Sequence, residues 1–184
     1  MPGLIRRAGA ILVAPKEEWT RIAAEPATIG GLHGSYVLAL AAIGPAAILI
    51  GAQFPGGGAR PTLASSAVWA LLGYGLALAA VPLLAIVANA LAPRFGGTRD
   101  TVAAFKLAAY SSTAAWLARI VLIVPSPWAA AAGLLASLYS VYLLHLGLPR
   151  MMHVPEAKAG AFTATLVAMM LFVNLAAFLI LRAL

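Results

Sequence analysis

The chain has 184 residues, of which 63% are hydrophobic and only 9% charged, and it carries a net charge of +7. A soluble domain carries roughly 25% charged residues, so water is excluded as the solvent for most of this surface. The chain contains no cysteine, which excludes disulfides, thiolate metal sites and cysteine nucleophiles. The positive charge points to topology and lipid rather than to nucleic acid, because the basic residues sit in short connections beside apolar stretches.

Leu4 to Val13 reads as a short amphipathic helix. Leu4, Ile5, Ala8, Ile11 and Leu12 share one face at about 100° per residue, with Arg6 opposite. It is too short to span a bilayer and is expected on its surface. Leu4, Ile5, Ile11 and Leu12 would then enter the cytoplasmic leaflet, and Arg6, Arg7 and Lys16 would attract anionic lipid. Pro15 ends this helix and opens a second one, where Glu17 and Glu18 suit the positive helix start. Trp19 and Ile22 are expected at headgroup level. Arg6 and Arg7 followed by Ala8 to Ala14 resemble a short signal sequence. That stretch runs straight into Pro15-Lys16-Glu17-Glu18-Trp19 without a cleavage site, so it is expected to be retained. Residues 1–33 thus form a cytoplasmic, interfacial segment.

Five apolar stretches follow, at about 34–54, 66–91, 101–124, 128–148 and 160–184. Each matches the roughly 20 residues that a bilayer core of ~30 Å requires. The fold class is all-α: a polytopic membrane helix bundle of five transmembrane helices plus short N-terminal interfacial helices. Gly44-Pro45 predicts a kink in the first stretch and Pro82 a bend in the second. Pro55 to Pro61 reads as a flexible turn. Thr98 or Asp100 can cap the third stretch, Pro125-Ser126-Pro127 makes a tight hairpin, and the fifth helix can start as early as Pro155-Glu156. With the N-terminus inside, the cytoplasmic segments hold Arg6, Arg7, Lys16, Arg21, Arg94, Arg99, Arg150 and Lys158. Arg60 and Arg182 fall opposite. This bias assigns a cytoplasmic N-terminus and an extracytoplasmic C-terminus. The alanine-rich composition suggests a bacterial cytoplasmic (inner) membrane.

Two cations lie within the stretches, Lys106 and Arg119. Both have stems long enough to snorkel to an interface. A candidate intramembrane polar face can be assembled from Lys106, Tyr110, Ser111, Tyr139, Tyr142 and His145. Hydroxyl residues in membrane helices more often pack closely or bond back to the backbone. His33, His145 and His153 lack ligand spacing, so no metal is expected. No carboxylate lies inside a stretch, which weighs against a cation-coupled pump. No phosphate-binding loop, nucleotide fingerprint or nucleophile elbow is present. The reading is a non-enzymatic protein without cofactors.

The chain resembles the bacterial branch of the Yip1 family of five-span membrane proteins. The resemblance rests on Pro15-Lys16-Glu17-Glu18-Trp19 with Arg21-Ile22, and on Phe95-Gly96-Gly97-Thr98 with Phe105 to Ser112 after it. It rests further on Leu138 to Leu144, Gly147-Leu148-Pro149 and Val154 to Ala159. It departs at Thr113-Ala114-Ala115, where the family pattern has a proline, and this implies a straighter third helix. The resemblance implies five spans and a cytoplasmic N-terminus. Eukaryotic relatives act in vesicle traffic and bind small GTPases through a longer N-terminal region, which is not carried over to residues 1–33. The expected role is membrane-organising or protein-interacting. The expected partners are anionic lipids and possible homo-oligomers or other membrane proteins, and nucleic acid is not among them. The alternatives are an accessory subunit of a larger complex, or a channel, transporter or lipid-moving protein.

Overall fold

The computed structural model describes residues 3–53, 62–124 and 127–183. The predicted turn from Pro55 to Pro61, with Arg60, lies outside the described residues, as do Pro125 and Ser126 of the predicted hairpin; the side chain of Arg182 is likewise outside them. Among the described residues every regular element is helical. Four helices are long and apolar enough to cross a membrane: Ile29–Gly51, Leu63–Phe95, Trp128–Met152 and Glu156–Ala176.

The helix ends follow local capping chemistry. Two short helices, α1 (Leu4–Val13) and α2 (Pro15–Ala24), lie where the amphipathic pattern predicts them. The first long helix starts at Ile29, earlier than the apolar pattern indicates, because the Thr28 side chain accepts from the Gly31 amide at 3.1 Å. It comprises α3 (Ile29–Leu32), a π-turn (His33–Val37), α4 (Leu38–Ala41) and α5 (Ile43–Gly51). The break falls at Ala42, not at Gly44-Pro45. Pro45 has no amide proton for the carbonyl one turn back, so the ladder fails ahead of the proline. The second long helix, α6 (Leu63–Leu91), is capped by Thr62 and runs through Pro82.

The third stretch departs most from its expected form. Instead of one straight helix it is α7 (Thr101–Ser111), α8 (Thr113–Ala118) and a 3₁₀ turn (Arg119–Ile123). Asp100 caps its start, accepting from the Ala103 amide at 2.9 Å. Side-chain hydroxyls crowd the break at Ser112. Ser111 and Ser112 both donate to the Ala108 carbonyl, at 3.2 and 2.9 Å, and Thr113 donates to Tyr110 at 2.7 Å. These hydroxyls compete with backbone amides for the same acceptors. Just past the break, the Ala115 amide donates to Ser140 Oγ of another helix at 3.1 Å.

The last two helices, α9 (Pro127–Met152) and α10 (Glu156–Ala183), are joined by a three-residue connection. Every residue from Ala103 to Ser111 is buried, which makes α7 the centre of the bundle. α7 packs between α6 and α9, α10 lies on α9 and α6, and α5 lies on the 3₁₀ turn. Gly51 permits that last approach. A Cβ there would sit 2.5 Å from the Leu122 carbonyl oxygen, so glycine is required by the contact with backbone.

Candidate functional site

The two N-terminal helices do not lie apart from the bundle. α2 packs on α9, and α1 packs on α2 and α8. Ile11 is 0% exposed and belongs to the main core with Ala8, Trp19 and Ile22. The expectation that Ile11 enters lipid is therefore corrected: its apolar face is spent on the bundle. Leu4 and Leu12 are half-buried against the same core. Ile5, at 87% exposed, faces outward, as do Arg6 and Lys16. Trp19 is fully buried in the bundle, and its indole donates to the Leu143 carbonyl on α9 at 3.1 Å.

Charged side chains lock this arm in place. Arg7 and Glu18 are each 4% exposed and ion-paired, and Arg7 also pairs with Glu25. Arg21 joins Glu18 at 3.2 Å. Burial alone lowers the pKa of the Arg7 guanidinium. The hydrogen bond to Glu25 and the charges of Glu18 and Glu25 outweigh burial and hold it above its ordinary value. Lys106 does not snorkel outward. It is 6% exposed and donates to the carbonyls of Ile22, at 2.8 Å, and Glu25. These carbonyls lie at the end of α2, where a helix leaves acceptors unpaired and favours a cation. Tyr139 does the same for α1, donating to the Leu12 carbonyl at 2.6 Å.

Aromatic rings fill the space between arm and bundle. Tyr110 meets Trp19 edge-on at 6.3 Å and Tyr36 at 4.7 Å between centroids, and the Arg7 guanidinium lies 5.9 Å from its ring centre. Tyr36 bonds Thr113 at 2.7 Å, just past the helix break. A cavity of about 160 Å³ remains, lined by Leu4, Arg7, Glu25, Leu32, Ser35, Tyr36 and Tyr110.

The six residues of the predicted polar face thus separate. Lys106 and Tyr110 hold the arm. Tyr139 caps α1 and stands 5.6 Å from Tyr142, which points outward. Ser111 lines a groove of about 220 Å³ with Ser112, Ser140 and Asn174. His145 pairs with Thr163 at 3.2 Å and lines another cavity, with Lys16 and Arg150. The sequence reading missed the buried Glu18 and the half-exposed Glu25 as partners of Arg7. The available signal was an ion on each apolar face: Arg7 beside Ala8 and Ile11, and Glu18 beside Trp19 and Ile22.

The segments between helices also meet. The Thr98 amide donates to the Met152 carbonyl at 2.8 Å, and Phe95 stacks on Phe162 at 4.5 Å. Gly97 allows this clasp, because a Cβ there would lie 2.6 Å from the Met152 carbonyl oxygen. Parts of the three motif segments thus come together: Pro15 to Ile22 pack on α9, Lys106 reaches the end of α2, and Phe95 and Thr98 meet α10 and the end of α9. A Yip1 domain model matches residues 9–178, nearly the whole chain. The chain belongs to the Yip1 domain family. No curated protein and no solved structure matches it. The Yip1 match covers both the docked arm, from Gly9 onward, and the four long apolar helices, so the chain is a membrane protein of that family.

Proposed function

We propose that this Yip1 protein is non-enzymatic and organises its membrane, or holds partners in it, through the outer surface of its bundle. The observation that carries the reading is the occupation of the buried polar groups of the arm and of α7. Arg7, Glu18 and Lys106 are bound to one another's helices, and Ser111, Ser112 and Thr113 bond back to backbone. Side chains held this way serve architecture rather than a moving substrate. The lipid-wedge role of α1 narrows to its outward residues, Ile5 and Val13.

Five spans, a cytoplasmic N-terminus and an extracytoplasmic C-terminus belong to the same proposal, in a bacterial cytoplasmic membrane and in the bacterial branch of the family. The Thr98–Met152 clasp supports five crossings. It holds the segment after α6 and the segment after α9 on one side. The chain returns to that side only if Thr101–Ile123 crosses as well. The exposed cations Arg94, Arg99 and Arg150 gather at that end with Lys158, as the distribution of basic residues requires of a cytoplasmic face.

A mainly apolar groove, interrupted by Ser111, Ser112, Ser140 and Asn174, favours a second reading, a lipid-moving protein. Purification of the tagged protein from its own membranes in mild detergent, with the mass of the intact particle, separates the possibilities. The proposal predicts this chain with lipid or weakly held partners, and no lipid flux in proteoliposomes. A stoichiometric foreign protein identifies an accessory subunit instead. Flux that is lost on altering the groove identifies a transporter.

A further inference from the structure

Lys16, His145, Arg150 and Glu156 line one cavity of about 300 Å³, where the start of α2, the end of α9 and the start of α10 meet. That volume is at the lower end for sites of small molecules. Lys16 and Arg150 are exposed and form no ion pair among the described residues, whereas Arg7 and Arg21 are matched with glutamates. The cavity also sits at a defined depth. The 26 residues of α9 extend about 39 Å at ~1.5 Å each, more than the ~30 Å hydrocarbon core. The apolar run of α9 ends at Leu148, and with that run in the hydrocarbon core Pro149 and Arg150 fall at the level of lipid headgroups.

His145 adds a directed group. The Thr163 hydroxyl gives its single proton to the Ala159 carbonyl at 2.8 Å. Its 3.2 Å contact with His145 Nδ1 therefore requires Nδ1–H to donate. The ring is fixed by that bond, and Nε2 is the nitrogen left for a ligand.

We propose that this cavity binds a phospholipid headgroup. Lys16 and Arg150 hold the phosphate by charge-assisted hydrogen bonds, and Glu156 accepts from a hydroxyl or ammonium of the headgroup alcohol. The lipid bridges the N-terminal arm and the bundle, because Lys16 comes from α2 and the other three residues come from α9 and α10. The site goes beyond the proposed function and requires only that α2 be docked on α9.

The test uses the full-length protein in mild detergent and native mass spectrometry with added phosphatidylglycerol, phosphatidylcholine or diacylglycerol. The wild type retains phosphatidylglycerol, and the K16A/R150A variant binds it about tenfold more weakly or worse. A control variant, R94A/R99A, removes two exposed cations elsewhere and binds as the wild type does. Phosphatidylcholine, whose headgroup has no hydrogen-bond donor, binds more weakly than phosphatidylglycerol. Equal retention of diacylglycerol, or unchanged binding by K16A/R150A, overturns the proposal. Displacement of phosphatidylglycerol by an equal concentration of inorganic phosphate overturns the lipid assignment and leaves a free-anion site.

Discussion

Lys106 donates to the carbonyl of Ile22 at 2.8 Å, joining residues 84 positions apart. A lysine inside an apolar stretch is ordinarily explained by snorkelling to the membrane surface. Here the ammonium turns inward and completes the end of α2. Replacing Lys106 with methionine keeps the stem and removes the donor. With hydrogen bonds to charged groups worth about 1.5–3 kcal/mol, the arm should loosen by a similar amount. Trypsin cleavage at Arg21 in reconstituted bilayers should then be faster in K106M than in the wild type. Equal rates would contradict the role assigned to Lys106.

Arg7 and Glu18 form a buried pair. Breaking such a pair from one side leaves an uncompensated charge and costs about 3–5 kcal/mol, whereas removing both partners is far milder. R7M and E18L should each lower thermal stability strongly. The double variant R7M/E18L should recover much of the loss. Strict additivity in the cycle would show that the two charges do not interact.

Gly147 lies where Trp19 enters the bundle. A Cβ there would stand 2.5 Å from Leu107 Cδ1 and 2.8 Å from two atoms of the Trp19 ring. The leucine end can rotate away, but the indole is held by its bond to Leu143. G147A should cost about 1–3 kcal/mol, the range for an overfilled core. Four tryptophans are present, so the change is best read as a difference spectrum against G147A/W19F, in which the smaller ring relieves the clash. A G147A variant as stable as the wild type would contradict this packing.

Much of this fold was legible as sequence. The apolar runs locate the long helices because the bilayer sets their length, and Asp100 and Pro155-Glu156 mark helix starts through local chemistry. The break at Ser112 was not legible in the same way. Ser111, Ser112 and Thr113 read equally well as packing residues in a continuous helix, and the Ser140 hydroxyl that receives the Ala115 amide comes from a helix distant in sequence. The site was half legible for a related reason. Amphipathic periodicity identifies the apolar face of α1 but not what covers it, since lipid and a protein core are both apolar. Arg7 and Glu18 on those faces carry the distinction, because a paired ion implies a specific protein partner.

S140A offers a check on the broken helix. The variant leaves the Ala115 amide without its acceptor in a half-buried position, which costs about 1–3 kcal/mol. Lower stability of S140A, with no such loss in the exposed control S137A, is the expected result in thermal unfolding. Equal behaviour of the two variants would indicate that α8 bonds its own amides.

The account turns on the N-terminal arm being part of the bundle and not a wedge in lipid. A photoreactive diazirine side chain placed at Ile11 in the full-length protein, activated in bilayers and mapped by mass spectrometry, tests this directly. The account predicts adducts within the same chain, in α2 or in Thr113–Ala118 of α8, because Ile11 is wholly buried and α1 packs on those elements. Adducts mainly to acyl chains would contradict it and return α1 to the membrane surface.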